Sequence, residues 1–144
     1  MNFERVGTGQ PMLMVHGLGA NLRTWNPLLS ALSGSRELVL VDLPGHGRST
    51  PLAGPQTFDA YADALAHFVD SQGLATADLI GSSIGGRLVL ELARRGIGRH
   101  CVVPPTRPPR WHRALWTAHC RQAGPKDHPV LYWRQKCFAV LFLT

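Results

Sequence analysis

The feature that most constrains the fold is a five-residue pattern, Gly81-Ser82-Ser83-Ile84-Gly85, between a short apolar run and an apolar helical segment. Residues 77–80 have the length and composition of a buried strand, and residues 84–95 place their large apolar side chains at helical spacing. A serine on such a sharp strand-to-helix turn is held above the sheet with its hydroxyl exposed. Because the flanking glycines let the backbone pass without clashes, the pattern marks Ser83 as a candidate nucleophile.

Two further apolar runs are each followed by a glycine-containing loop. Residues 12–15 lead into His16-Gly17-Leu18-Gly19, and residues 38–41 lead into Asp42-Leu43-Pro44-Gly45-His46-Gly47-Arg48-Ser49. Continuous apolar runs of this length are typical of parallel strands covered on both faces. Strands that alternate with helical segments predict an α/β fold, a partial parallel sheet with flanking helices.

The helical segments differ in strength. The clearest helix is predicted over residues 57–72, with Thr57 as its cap, Gly73 at its end and one apolar face made by Tyr61, Leu65, Phe68 and Val69. Residues 21–32 also approach helical spacing, provided that Pro27 lies in the first turn. Residues 2–6 alternate weakly between apolar and polar side chains, as an edge strand does.

In combination these motifs resemble the α/β-hydrolase family, specifically its single-domain branch with an H-G-x-G loop and a G-x-S-x-G nucleophile elbow. The resemblance runs from about residue 3 to residue 97. It implies hydrolysis of an ester, or of a related acyl or carbon–carbon bond, through an acyl-serine intermediate, without a metal or organic cofactor. Serine at the elbow argues against the dehalogenase and epoxide-hydrolase relatives, which use aspartate there.

The resemblance also implies roles for residues around Ser83. The oxyanion donors would be the backbone N–H groups of Leu18 and Ile84, the second at a helix N-terminus that favours negative charge. Five residues would serve as structural loop positions, namely His16, Gly17, Gly19, Gly81 and Gly85. His16 would then brace its loop and would not be the catalytic base.

Other polar residues before residue 98 are expected to be structural. His46, Arg48 and Ser49 would brace the turn that contains them, and His67 would face solvent on its helix. Asp42, at a strand end, is a catalytic acid in principle, although the resembled family takes that acid from a later loop.

The composition changes abruptly near residue 99. Residues 1–98 carry a net charge of −1, whereas residues 99–144 carry +7, so the overall +6 belongs to the second part. That part also holds all three cysteines, three of the four tryptophans and one of the fifteen glycines. We therefore expect residues 1–98 to be the N-terminal part of an α/β-hydrolase domain. Residues 99–144 would be an atypical Arg/Pro/Trp/Cys-rich extension, frameshifted or poorly ordered. In this extension residues 101–103 could begin a strand, and residues 137–144 could form a strand or a loose apolar end.

The rest of a catalytic triad must follow the elbow, in the order serine, acid, histidine. After Glu91 the sequence offers one acid, Asp127, and four histidines, His100, His112, His119 and His128. The adjacent Asp127 and His128 do not resemble the separate loops of the family. The sequence therefore predicts that the triad is absent and that the chain is truncated and weakly active or inactive as given.

Alternative functions have less support in the sequence. The cysteines include no C-x-x-C pair, which argues against a zinc site. Arg107, Arg110, Arg113 and Arg121 lie in a proline-broken stretch, which argues against a nucleic-acid or membrane surface. No secretory signal or apolar stretch of spanning length is visible, so a cytoplasmic protein is expected. The resemblance implies a small-molecule, ester-like substrate. The competing hypothesis is a non-catalytic fragment or binding protein on the same scaffold.

Overall fold

The structure, a computed structural model, describes residues 1–99, 101–103 and 139–141. Within these residues, six strands form one sheet in the order β1-β3-β2-β4-β5-β6. Their bounds are Phe3–Val6 for β1, Gln10–Val15 for β2, Arg36–Val41 for β3, Asp78–Gly81 for β4, Cys101–Val103 for β5 and Ala139–Leu141 for β6.

The centre of the sheet is parallel and its two edges are antiparallel. β3, β2, β4 and β5 run in one direction, as the alternation of strands and helices predicted, while β1 pairs antiparallel with β3 and β6 antiparallel with β5. β1 is thus the edge strand expected from residues 2–6. The register pairs Val15 with Val41 and with Gly81, so the carboxyl ends of three parallel strands lie at one edge of the sheet.

Helices cover both faces of the sheet. A 3₁₀ turn, Leu22–Trp25, leads into α1, Asn26–Leu32, so the helix predicted over residues 21–32 is divided in two. Pro27 lies in the first turn of α1, where its missing N–H costs no hydrogen bond. α2 spans Phe58–Ser71 and α3 spans Ile84–Arg94, close to the predicted bounds.

Alternate residues of β2, β3 and β4 enter two different cores. Leu13, Val15, Val39, Val41 and Leu79 pack against α2 and α3, whereas Met12, Met14, Leu38, Leu40 and Ile80 pack against Leu22 and Trp25. Full burial of each such side chain stabilises the fold by about 1.5–3 kcal/mol relative to exposure. Because both faces are covered, the strands read as continuous apolar runs.

α2 and α3 are tied to each other near the elbow. Thr57 caps α2 by accepting a hydrogen bond from the Ala60 N–H at 3.2 Å. The guanidinium of Arg87 lies 5.0 Å from the centre of the Phe58 ring, and Arg95 Nη1 lies 2.7 Å from Asp63 Oδ1. These exposed contacts link α2 with α3 and add little stability individually.

Several sequence-based predictions fall on residues that the structure does not describe. These are the candidate bases and acid (His100, His112, His119, His128 and Asp127), the arginines Arg107, Arg110, Arg113 and Arg121, and Cys120 and Cys137. The division of the chain at residue 99 remains a prediction. Within the described ranges, no helix is long and apolar enough to cross a membrane.

Candidate active site

Three loops meet at the carboxyl edge of the parallel strands. β2 ends just before His16, β3 ends just before Asp42, and β4 ends at Gly81, two residues before Ser83. Ligands of open α/β sheets bind at this edge. The fold therefore brings together the three glycine-containing loops that the sequence singled out.

Ser83 occupies the junction between β4 and α3 in a strained backbone conformation. It is the N-cap residue of α3, with φ 55° and ψ −120°, and it is exposed. Among the described residues it is the one non-glycine residue with positive φ. Such conformations cost about 1–3 kcal/mol and cluster at functional sites. The sharp strand-to-helix turn expected from the sequence is present.

The elbow glycines are required by close backbone contacts. A Cβ atom on Gly81 would overlap the backbone carbonyl of Gly85, and a Cβ atom on Gly85 would overlap the carbonyl oxygens of Val15 and His16. α3 therefore begins in direct contact with the end of β2. A side chain at either position would force the elbow away from the neighbouring strand.

The loop after β2 lies against the elbow. A Cβ atom built on Gly17 would stand 3.2 Å from Ser83 Cβ and 3.3 Å from the Ser82 carbonyl oxygen. Gly19 has φ 70°, which favours glycine, and the Gly17 carbonyl accepts a hydrogen bond from the Ala20 N–H at 3.2 Å. The loop thus turns back directly above the elbow. Between its two glycines, Leu18 is 75% exposed.

Two backbone donors of the elbow and of the loop after β2 have no acceptor among residues 1–99. Within residues 1–99, neither the Leu18 N–H nor the Ile84 N–H donates a hydrogen bond to a protein group. Ile84 begins α3, where the first N–H groups have no intrahelical partner. Ile84 directly follows Ser83, and Leu18 directly follows Gly17, the residue that lies against Ser83.

His16 is fully buried, and both of its ring nitrogens are engaged. Nδ1 donates to the Gly17 carbonyl at 2.7 Å, and Nε2 accepts from the Leu43 N–H at 3.0 Å. Burial lowers the pKa of His16, the nearby His46 ring adds to this effect, and the Gly17 hydrogen bond and Asp42 oppose it. The imidazole is held neutral between two loops, and neither nitrogen is free to accept a proton from Ser83.

Asp42 is buried at the end of β3 and accepts three hydrogen bonds. Oδ1 accepts from the Leu22 N–H at 2.7 Å, and Oδ2 accepts from Asn2 Nδ2 at 2.8 Å and from the Arg48 N–H at 2.9 Å. Burial by itself raises the pKa of this carboxyl, but the three donors outweigh it and lower the pKa below 3.8. These contacts leave Asp42 linking loops rather than facing Ser83.

The other two histidines of the described residues are His46 and His67. His46 Nδ1 donates to the Pro44 carbonyl at 3.0 Å, and its ring lies 5.2 Å from the His16 ring and 6.5 Å from that of Tyr61. His67 is exposed on α2. Among residues 1–99, no histidine forms a hydrogen bond with Ser83.

Comparison with known proteins identifies the family. The model of the alpha/beta hydrolase family matches residues 12–143, nearly the whole chain. The chain belongs to the alpha/beta hydrolase family. The match continues through the basic segment after residue 98, whereas the sequence motifs supported the resemblance only to about residue 97.

Curated relatives and solved structures agree with this membership. The chain is 35% identical over 94 residues to the dihydrolipoyllysine-residue acetyltransferase component of the acetoin cleaving system of Cupriavidus necator. It is 40% identical over 82 residues to the pimeloyl-[acyl-carrier protein] methyl ester esterase of Neisseria meningitidis serogroup A. These alignments cover 65% and 57% of this chain, and the chain spans about a quarter of the length of each relative.

A thermophilic esterase from Thermogutta terrifontis is similar in structure, with a TM-score of 0.66 and 29% identity. The match covers 87% of this chain and 49% of the esterase chain. This structural likeness agrees with membership of the alpha/beta hydrolase family.

Sequence reasoning missed two contributors to the site. Asn2 and the Leu22 N–H both bind the Asp42 carboxylate, across separations of 40 and 20 residues. Neither carries a local pattern, because hydrogen bonds over such distances depend on the strand order. The one available signal was that Asp42, a charged residue, directly follows a run of apolar residues that enters the core.

Proposed function

We propose that this chain carries the nucleophile and oxyanion-binding half of a serine hydrolase active site, with Ser83 as the nucleophile. The observation that supports the proposal most is the strained backbone of Ser83 at the N-terminus of α3, directly beneath the Gly17 loop. A fold keeps such strain where the position of one side chain matters more than local stability.

In the proposed reaction, Ser83 Oγ attacks the carbonyl carbon of an ester and forms a C–O bond while a base accepts its proton. The carbonyl oxygen becomes an oxyanion bound by the N–H groups of Leu18 and Ile84. Collapse expels the alcohol, which takes up a proton, and leaves an acyl-serine. Water then attacks the acyl carbon and releases the acid, so that Ser83 recovers its proton.

The base and the acid have no candidate in the described part of the chain beside Ser83. His16 has both nitrogens engaged, and Asp42 is occupied by three donors. The remaining candidates, His100, His112, His119, His128 and Asp127, lie outside the described residues. We therefore propose that the chain as given is truncated or incomplete as a catalyst, and slower than complete triad enzymes by about 10⁴-fold or more.

The substrate class proposed is a small molecule with an ester or related acyl or carbon–carbon bond. The acetyltransferase and methyl ester esterase relatives both handle acyl groups, which supports this class. The proposed location is the cytoplasm, as expected from the sequence, and cell fractionation with an antibody to the chain would contradict it by recovering the protein outside.

The decisive experiment compares the wild-type chain with Ser83→Ala and with Ser82→Ala, a matched change at the adjacent, half-buried serine. Each protein is incubated with a fluorophosphonate probe and with p-nitrophenyl butyrate. We expect slow labelling and slow hydrolysis that disappear in Ser83→Ala and persist in Ser82→Ala.

Each other outcome has a defined meaning. Labelling that survives Ser83→Ala contradicts Ser83 as the nucleophile. Rapid labelling that depends on Ser83 contradicts the missing base, and single alanine substitutions of His100, His112, His119 and His128 would then identify it. A complete lack of labelling favours the non-catalytic binding protein.

A further inference from the structure

Asn2 uses three of its own groups to hold the end of β3. Its side-chain amide donates to Asp42 Oδ2 at 2.8 Å, and its carbonyl accepts from the Asp42 N–H at 2.9 Å. Its backbone N–H donates to Ser49 Oγ at 2.7 Å, and Ser49 Oγ donates in turn to the Asp42 carbonyl at 2.7 Å. We call these three residues, Asn2, Asp42 and Ser49, the clasp.

The clasp reaches the loop above Ser83 through one hydrogen bond. Asp42 Oδ1 accepts from the N–H of Leu22, which begins the 3₁₀ turn directly after that loop. The start of the same loop is held by His16, through Leu43. The segment that carries Leu18 is therefore anchored at both ends to the residues that follow β3.

The carboxylate oxygen that Asn2 binds also accepts the Arg48 N–H. Removal of the Asn2 amide leaves that oxygen, buried and charged, with one donor fewer. A buried carboxylate that loses a donor moves toward remaining donors or water, which displaces the groups bound to it. The group on its other oxygen is the Leu22 N–H, at the end of the loop.

We propose that Asn2 is a positioning residue for the active site, which acts through the Asp42 carboxylate to hold Leu18 above Ser83. This inference rests on the proposed role of the Leu18 N–H in binding the oxyanion. The effect of Asn2 on the position of the loop can be measured whether or not the chain hydrolyses a substrate.

The test uses the full chain and two variants of Asn2. Asn2→Leu keeps the shape of the side chain and removes its donor, and Asn2→Asp places a second carboxylate beside Asp42. The matched control is Gln10→Met, which removes the 2.8 Å hydrogen bond from Gln10 Nε2 to the Thr76 carbonyl at the opposite edge of the sheet.

Three NMR measurements are independent of catalysis. We expect the amide hydrogens of Leu22 and Arg48 to exchange about tenfold faster in Asn2→Leu, the loss expected for one hydrogen bond to a charged group. The carboxyl carbon of Asp42 should titrate at a higher pH than in wild type, and higher still in Asn2→Asp. The nuclear Overhauser contact between Gly17 and Ser83 should weaken, and Gln10→Met should leave all three unchanged.

The rate of fluorophosphonate labelling completes the test. A slower Ser83-dependent rate in Asn2→Leu, with the rate of Gln10→Met unchanged, agrees with the proposal. Unaltered exchange at Leu22 and Arg48 overturns the clasp, and faster exchange with an intact Gly17–Ser83 contact overturns the positioning role. Changed NMR signals in a chain that never labels at Ser83 leave the clasp standing and refute the proposed function instead.

Discussion

His16 Nε2 accepts a hydrogen bond from the Leu43 N–H at 3.0 Å, and this bond joins the loop after β2 to the loop after β3. It requires a neutral imidazole, because protonated Nε2 is a donor that would face the N–H of Leu43. The loop above Ser83 therefore depends on the protonation state of a buried side chain that takes no part in the proposed chemistry.

The pH dependence of stability follows from the lowered pKa of His16. The unfolded chain binds this proton near the usual pKa of 6.5, whereas the folded chain binds it at lower pH. Stability from His16 is thus complete above pH 6.5 and is lost as the pH falls through the folded pKa. Urea unfolding between pH 8 and pH 4.5 should show a decline below pH 6.5.

The matched variants for this pH prediction are His16→Gln and His67→Gln. The first removes the buried imidazole and should flatten the decline, and the second changes an exposed histidine and should preserve it. Asp42 adds a separate loss at lower pH, because its lowered pKa stabilises the fold above 3.8. A decline that remains in full in His16→Gln would contradict the assignment to His16.

The strain at Ser83 predicts a substitution that stabilises the protein and removes its nucleophile. Glycine adopts positive φ without the steric penalty of a side chain, so Ser83→Gly should raise the free energy of unfolding by about 1 kcal/mol. Ser83→Ala keeps a Cβ atom and should change it by less than about 0.5 kcal/mol. Both are measured by urea titration.

The control for the strain prediction is Ser82→Gly. Ser82 lies outside the positive-φ region, so glycine there gains nothing and should lower stability by about 0.5–1 kcal/mol. Equal losses in Ser82→Gly and Ser83→Gly would mean that Ser83 stores no strain.

The contact between α3 and β2 predicts a large effect of a single methyl group. Gly85→Ala would push a Cβ atom into the carbonyl oxygens of Val15 and His16, and backbone cannot rotate out of the way as a side chain can. We expect a loss of about 3 kcal/mol or more in the free energy of unfolding. Gly34→Ala, where the new Cβ meets no atom within 4 Å, should change stability by less than about 0.5 kcal/mol. Similar losses in both would contradict the close approach.

Much of the fold and part of the candidate site could be predicted from the sequence. The elbow at Ser83, the glycine loops and the cap at Thr57 were predictable, because each is specified by neighbouring residues. The clasp was not, because Asn2 meets Asp42 only after β1 has paired beside β3. The role of Asp42 in linking loops was not predicted either, because the sequence offered this residue only as a catalytic acid in principle and its partners are distant in the chain.

The two edge strands of the sheet, β1 and β6, could likewise be predicted only in part. β1 was predicted as an edge strand, but a pattern of alternation does not state the direction of pairing. β6 lies within residues 137–144, where a strand and a loose end were equally compatible with the apolar composition. Its pairing with β5 depends on partners 36 to 40 residues earlier in the chain, which no local sequence pattern indicates.

Two kinds of force hold the parts of the site, and they differ in what weakens them. Gly85 packs against the end of β2 by direct atomic contact, and neither pH nor salt concentration weakens this contact. The loop above it is held by hydrogen bonds that His16 Nε2 and Asp42 Oδ1 accept, and protonation of these side chains weakens those bonds. As the pH falls, the loop that would bind the oxyanion should therefore be released first. Ser83 should then remain in place on an intact elbow.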